Sequence, residues 1–185
     1  MVSEVRRALN QVMAGQVRPF LRDHGFEDRK KGCFLRVVDG VGVDSLWFQN
    51  SSYPGCAPYY INIDAATDRW IAYRGGIEHG LGQLSGRVHP PPEFAFAPGA
   101  DMWMLRTVES AAEHGAGLCR TLDETVFPQL DTYLRYNMAI EDVAGDGTPS
   151  RELPPQWRGV VNRMMYPQHL DDYFAWIRAG QSPEP

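Results

Sequence analysis

Apolar residues recur at spacings of three and four positions near the start of the chain, which is typical of one face of a helix. These residues are Val5, Leu9, Val12, Met13, Phe20 and Leu21. Ser3 can cap the first turn through its hydroxyl group, and Gly25 suits a left-handed helix end. Because Gly15 and Pro19 interrupt the stripe, the pattern predicts a kink or break between residues 15 and 19.

The apolar period changes to two after Phe26, which predicts β-strands. Residues 33–38 and 41–51 flank Asp39-Gly40, a dipeptide typical of a hairpin turn. A last short strand is predicted at residues 102–105. These segments, together with the alternating segment described next, predict an antiparallel meander of four to five strands.

Alternation of apolar and polar residues is clearest in the segment 59–64. Because successive side chains on a strand point to opposite faces, we expect Ile61 and Ile63 to face the core. The residues expected to point away from the core are Tyr60, Asn62 and Asp64.

A helical period returns at Glu109 and predicts one long helix that packs on one sheet face and reaches Leu134. Pro128 is expected to bend this helix, and two glycines near its start are expected to weaken it. The preceding residues 74–100 contain many glycines and prolines and are predicted to form an ordered surface loop or a flexible flap.

The fold class predicted from these elements is α+β, with an α+β domain over residues 1–140. A run rich in glycine and proline predicts a linker at 141–155. A small helical extension packing on the same core is predicted at 156–185. It carries two apolar stripes, Trp157, Val160, Val161 and Met164 in one and Leu170, Tyr173, Phe174 and Ile177 in the other.

Composition narrows the classes of function. The chain has 185 residues, 43% of them apolar, and a net charge of −5. The acidic balance argues against binding to nucleic acid, and no apolar run is long enough to cross a membrane. The three cysteines lack paired motifs, so reduced thiols in a cytoplasm are expected. We expect a monomer or a weak dimer.

Motifs for catalysis and for cofactors are missing from the sequence. No two histidines have the spacing of metal ligands on one helix, and no G-x-S-x-G elbow is present. Gly40-Val41-Gly42 lies inside the predicted hairpin and precedes a strand, so it does not match a dinucleotide loop. The sequence therefore predicts neither a metal site nor a cofactor.

Polar and aromatic residues collect on the sheet face that is expected to point away from the core. Such a mixture suits recognition, because rings supply rigid area while amides and arginine supply directional hydrogen bonds. The predicted binding residues are Arg36, Trp47, Gln49, Ser51, Tyr60, Asn62 and Asp64. An alternative is that the C-terminal helices or the 74–100 loop cover this face.

Four short motifs resemble a bacterial family of unknown function, the one numbered four-three-zero-four. They are Pro19 to Phe26, Phe34-x-Arg36, Gln49-Asn50-Ser51 and Ile61-Asn62-Ile63. The resemblance covers about residues 5–135 and departs from the family at Asp64, where a glycine is usual. It implies a fold and no catalytic residue. Some members occur beside bacterial toxins, which implies an immunity-like role in binding a protein partner.

Two functions of different class are therefore carried forward. The first is a non-catalytic binding module, immunity-like, that recognises a protein through the open sheet face. The alternative is a small hydrolase or transferase with a site under the 74–100 loop. That enzyme would use Arg36, Asp64 and one of His79 or His89.

Overall fold

The computed structural model describes residues 3–30, 32–77, 82–148 and 169–180, and it confirms an α+β fold with an antiparallel sheet. The helices are α1 Glu4–Val12, α2 Arg18–Asp23, α3 Asp68–Arg74, α4 Ala111–Thr121, α5 Phe127–Gly145 and α6 Leu170–Arg178. The strands are β1 Glu27–Lys30, β2 Cys33–Val38, β3 Gly42–Asn50, β4 Ala57–Thr67, β5 Leu84–Arg87 and β6 Trp103–Leu105.

The N-terminal helix begins and ends at the predicted residues. The Ser3 hydroxyl accepts a hydrogen bond from the Arg6 backbone N–H at 3.2 Å. A π-helical turn at Met13–Val17 separates α1 from α2, at the predicted break. Gly25 has a φ of 82°, and the N–H of the next residue, Phe26, closes the helix end on the Leu21 carbonyl.

The sheet has the strand order β1-β2-β3-β4-β5, with β6 also paired to β4. The pairing of β6 is antiparallel and sets Tyr59 opposite Trp103, so the predicted last strand is confirmed. Strand β1 is Glu27-Asp28-Arg29-Lys30, and all four residues are exposed. A short edge strand made of charged residues resists pairing with another chain.

Backbone packing divides the chain into two compact units. The first unit comprises Met1–Arg36, Leu46–Ile63 and Arg87–Pro128, and the second comprises Val37–Ser45, Asp64–Gly86 and Gln129–Pro185. Strands β2, β3, β4 and β5 each give residues to both units. The domain boundaries predicted from sequence stay a prediction.

The predicted linker at 141–155 begins inside a helix, because α5 continues to Gly145. The sequence suggested a linker here because its glycines and prolines are close together, yet Gly145 and Gly147 fall only at the helix end. Residues 149–155 lie outside the described residues, as does the first predicted stripe from Trp157 to Met164. The second stripe forms α6.

The core of the first unit contains aromatic residues from β2, β3 and β4. Phe34 meets Phe48 edge-on at 5.8 Å between ring centroids, and Phe48 lies 6.3 Å from Tyr59. Helix α4 packs closely here through its glycines. A Cβ atom at Gly115 would lie 2.6 Å from Val12 Cγ1, and one at Gly117 would overlap the Phe94 ring. The two glycines therefore permit close packing at the place where the sequence suggested weakness.

The core of the second unit joins α3 and α6 through aromatic rings. Trp70 of α3 meets Tyr173 of α6 edge-on, with 4.9 Å between centroids, and Tyr73 lies 5.0 Å from Tyr173. The buried residues of α6 are Leu170, Tyr173 and Phe174, as the stripe predicted. Helix α3 is capped by the Thr67 hydroxyl, which accepts from the Trp70 N–H.

The segment 74–100 was predicted to be an ordered surface loop or a flexible flap, and within it lies a strand that the sequence did not predict. The segment contains β5 and a 3₁₀ turn at Pro92–Phe94, and just after β5 the Val88 N–H donates to the Ile61 carbonyl. Strand β5 reads Leu-Ser-Gly-Arg, which has too few β-branched or aromatic residues to be recognised from sequence. His79 lies outside the described residues.

Candidate functional site

The alternation predicted for β4 is confirmed. Ile61 and Ile63 are fully buried, whereas the polar positions between and beside them are partly exposed. These positions are Tyr60, Asn62 and Asp64. The first two belong to the first unit and the third to the second, so they are described separately below.

A chain of side-chain hydrogen bonds crosses the polar face of the first unit. Asn62 Nδ2 donates to Gln49 Oε1 at 3.3 Å, and Arg87 Nε donates to Asn62 Oδ1 at 3.2 Å. Arg87 Nη1 donates to Asp101 Oδ2 at 2.6 Å. We call these four residues, which come from β3, β4, β5 and the segment before β6, the Arg87 ladder. The ladder holds polar groups in fixed positions at the surface.

Aromatic side chains accompany the ladder. The Arg87 guanidinium lies over the Tyr60 ring, with Cζ 4.4 Å from the centroid, a distance typical of a cation–π contact. Trp47 is on the same face of β3 as Gln49 and is 44% exposed. A partly exposed tryptophan is notable because its large apolar surface is usually covered.

Arg87 and Asp101 were missed by the sequence reasoning. Their signal was weak because β5 was hidden in a segment that was predicted to be a loop. Once the Leu84–Arg87 strand is known, alternation sets Ser85 and Arg87 on one face and the buried Leu84 on the other. Asp101 has no such pattern around it.

Ser51 belongs to the end of a hairpin and is not part of the ladder. Its N–H donates to the Pro58 carbonyl at 3.0 Å, and its own carbonyl accepts from Arg6 Nη2 at 2.7 Å. The same guanidinium also donates to the Pro58 carbonyl and to Asn50 Oδ1. These bonds fix the β3–β4 connection to helix α1.

Arg36 points away from the ladder, so its placement on the shared face was wrong. Its Cζ lies 5.2 Å from the centroid of Phe26 and 5.9 Å from that of Phe127. Arg36 shares the parity of the buried Phe34, which packs on Phe48. The prediction that Phe34 and Arg36 lie on one face of β2 was correct. Alternation within a single strand, however, does not determine which of its two faces packs against the core.

Asp64 lies in the second unit and accepts a hydrogen bond from a serine. Ser45 Oγ donates to its Oδ2 at 3.2 Å, whereas the buried Ser85 hydroxyl lacks a hydrogen bond of good geometry to any described residue. Burial raises the pKa of Asp64, and the neighbouring hydroxyls of Ser85 and Ser45 partly offset that rise. The carboxylate therefore lies beside hydroxyl groups of its own unit.

A buried pair of polar side chains lies in the core of the first unit. His114 Nε2 and the Tyr59 hydroxyl are 2.7 Å apart, and both residues are almost fully buried. The rings of Phe94 and Trp103 meet the imidazole edge-on. Burial lowers the pKa of His114 to about 4, so the imidazole is neutral at pH 7.

A buried carboxylate occupies the core of the second unit. Glu141 is 3% exposed, and its Oε1 accepts from the Thr67 hydroxyl, from Gln83 Nε2 at 2.9 Å and from the Tyr173 hydroxyl at 2.6 Å. Burial raises the pKa of Glu141, and the three donors oppose that rise. Glu141 belongs to α5, Thr67 to β4 and Tyr173 to α6, so these hydrogen bonds connect the three elements within the unit.

The residues proposed for an enzymatic site have separate surroundings. Arg36 packs on aromatic rings, and Asp64 accepts a hydrogen bond from Ser45. His89 is exposed and lines a hollow with Glu93, Arg120 and other residues, among which neither Arg36 nor Asp64 occurs. Within the described ranges there is no cluster of three or more His, Cys, Asp or Glu side chains that could hold a metal ion.

Comparison with known proteins finds no family model, no curated protein and no solved structure that matches this chain. The resemblance to the family numbered four-three-zero-four stays a prediction. Among the described helices, none is both long enough and apolar enough to pass through a bilayer. Function has to be inferred from the side chains themselves.

Proposed function

We propose that this protein is a non-catalytic binding module that recognises a protein partner through the Arg87 ladder and Trp47. The observation that carries this proposal is the restraint on Arg87. Its guanidinium contacts Asn62, Asp101 and the Tyr60 ring at once while 46% of its side chain stays exposed. An arginine held in this way at a surface is ready to meet a partner.

Preorganisation gives the surface an energetic advantage in binding. Ordering a flexible side chain at an interface costs about 0.5 to 1.5 kcal/mol. The amides of Gln49 and Asn62 and the guanidinium of Arg87 are already ordered by their mutual hydrogen bonds. A partner that contacts them avoids most of that cost.

The chemical types on this face also favour protein recognition. Tryptophan, tyrosine and arginine are the residues most enriched among interface hot spots. Trp47, Tyr60 and Arg87 supply all three on the same unit. The charged edge strand β1 discourages a partner from adding a strand there, so we propose docking on the face.

The identity of the partner is proposed more narrowly from charge. A net charge of −5 disfavours nucleic acid as the partner, whereas a folded protein meets no such general repulsion. By the resemblance, an immunity-like role in the cytoplasm against a protein toxin is the finer proposal. The module itself is proposed to be a monomer or a weak dimer.

Photo-crosslinking from position 47 tests this function. A photoreactive amino acid replaces Trp47 in one variant and Tyr136, a 41% exposed residue of α5, in a matched control. We expect one protein adduct in source cells from position 47 and none from position 136. The adduct should disappear when wild-type protein is added in excess.

Competition by a double variant decides whether the ladder face is responsible. Trp47→Ala with Asn62→Ala should melt like wild type but should fail to compete for the adduct. If the double variant competes as well as wild type, or if position 47 yields no adduct, the proposed function is overturned. A Tyr136→Ala competitor should behave like wild type.

A further inference from the structure

A hollow of about 240 Å³ lies in the first unit between helix α1, the π-helical turn and the strands β2 to β4. Its lining includes Phe34, Phe48 and Tyr59, which are buried and form its apolar end. Asn10, Asn50 and Arg18 lie at its more exposed side and form its polar end.

The size of the hollow sets the size of its ligand. An apolar cavity of about 150 Å³ is large enough to bind benzene. The hollow therefore has room for one six-membered ring with a small polar group attached. The Phe48 ring contacts those of Phe34 and Tyr59, and a ligand ring would extend that aromatic cluster.

Charge at the polar end favours an anion. Arg18 Nε lies 3.2 Å from Asp28 Oδ1, and Arg22 Nη2 lies 3.1 Å from Asp28 Oδ2. Two guanidinium groups therefore share one carboxylate. The buried Nε of Arg18 lacks a hydrogen bond of good geometry to any described residue. Among the described residues that line the hollow, Arg18 is the charged one.

We propose that this hollow binds a small aromatic monocarboxylate, with its ring against Phe34 and Phe48 and its carboxylate toward Arg18. Arginine pairs well with carboxylates because its planar fork can donate two parallel hydrogen bonds. This small-molecule site is independent of the Arg87 ladder, since the two share no residue. Failure of one proposal would leave the other standing.

Titration of the protein with sodium benzoate, followed by NMR, tests the site. We expect saturable shifts in the backbone signals of Met13, Ala14 and Arg18 at millimolar benzoate. Benzyl alcohol has a similar ring without the charge, and it should bind about 10-fold more weakly, because a hydrogen bond to a charged group is lost. A dissociation constant of roughly 20 mM is the weakest that would support a specific site. If no saturable shifts are seen up to that benzoate concentration, the proposal is overturned.

Matched arginine variants test the orientation of the ligand. Arg18→Gln should weaken benzoate binding about 10-fold, because it removes the charged hydrogen-bond donor. Arg22→Gln removes the same charge from a residue outside the lining. It should change the affinity less than roughly 2-fold, because solvent and salt screen the attraction at that distance. Equal losses in the two variants would refute contact with Arg18. Ala14→Phe, which narrows the hollow, should abolish the shifts while Trp47→Ala leaves them unchanged.

Discussion

The two units bury ionisable side chains of opposite kind and hold them differently. In the first unit the buried group is a base, His114, with the Tyr59 hydroxyl as its polar neighbour and aromatic rings around it. In the second unit it is an acid, Glu141, with three donors on one oxygen. Both are almost completely buried, so the difference lies in their partners.

This difference teaches how hydrogen bonding moderates the cost of burial. For His114, burial acts without an opposing contribution and lowers the pKa from 6.5 to about 4. For Glu141, burial raises the pKa, but the donors Thr67, Tyr173 and Gln83 favour the charged form and limit the rise. Falling pH should therefore reduce the stability contributed by His114, whereas rising pH should reduce that contributed by Glu141. Four predictions test the comparison between the two units.

Loss of the Glu141 carboxylate should have the largest effect on stability. Glu141→Ala leaves three donors inside the second unit without their acceptor, and each unsatisfied buried group is costly. We expect the free energy of unfolding at pH 7 to fall by roughly 3 kcal/mol or more, at about 1 to 3 kcal/mol for each neutral donor left unsatisfied. Urea unfolding measures this, with the exposed neighbour Asp142→Ala as the control that should stay close to wild type. A loss as small as that of the control would contradict the structural role of Glu141.

Acid should destabilise the protein through His114. The folded pKa is below the unfolded value, so the stabilising contribution is complete above pH 6.5 and is lost as the pH falls toward 4. The shift corresponds to about 3 kcal/mol over that window. Unfolding free energies measured from pH 7 to pH 4 check it.

Two variants separate the histidine from its neighbour. His114→Gln should flatten this part of the pH profile, because no titrating group remains at the site. Tyr59→Phe should lower stability at all pH values while it keeps the slope, because the shift of His114 comes from burial and not from the hydroxyl. An unchanged slope in His114→Gln would show that other groups cause the acid sensitivity.

Base should act on Glu141 in the opposite direction, with a smaller effect. Its folded pKa is raised above the ordinary 4.5, so its contribution is complete below that value and is lost as the pH rises through the folded pKa. Glu141→Gln keeps an oxygen acceptor but cannot lose a proton. We expect the difference in unfolding free energy between this variant and wild type to change with pH above about 4.5. A constant difference would argue against a raised pKa.

The smallest effect is expected at the surface of the first unit. Arg87→Ala removes an exposed ion pair with Asp101 and should lower the free energy of unfolding by less than about 1 kcal/mol. Arg36→Ala is the matched variant, because Arg36 is half-buried over two rings and should cost more. Thermal melts of the two variants compare them directly. A large loss from Arg87→Ala would assign the ladder to structure and weaken the proposed function.

Local signals in the sequence predicted much of the fold. The Ser3 cap, the Gly25 helix end and the alternation around Ile61 depend on residues within a few positions of one another, and all three are present. Such features are settled by backbone conformation and side-chain period alone. The α+β class followed from their order along the chain.

The candidate site was harder to predict because it depends on which strands are neighbours. Arg87 became part of the ladder only because β5 exists and lies beside β4. Arg36 was assigned to the wrong face of the sheet. Alternation groups the residues of β2 into two faces, but the pairing of β2 with its neighbouring strands is needed to know which face meets the core. Glu141 gave no signal, since a buried carboxylate in an amphipathic helix reads as a surface residue until its donors are known.

The contacts of Arg6 have a consequence for the order in which the chain can fold. This residue lies in the first helix, yet its acceptors Asn50, Ser51 and Pro58 follow 44 to 52 positions later. A ribosome adds residues at roughly 5 to 20 per second, so these acceptors are synthesised several seconds after the helix. During that interval the first helix lacks its hydrogen-bond acceptors for Arg6. A pause in translation before codon 58 would lengthen the time for which the helix stays without these contacts.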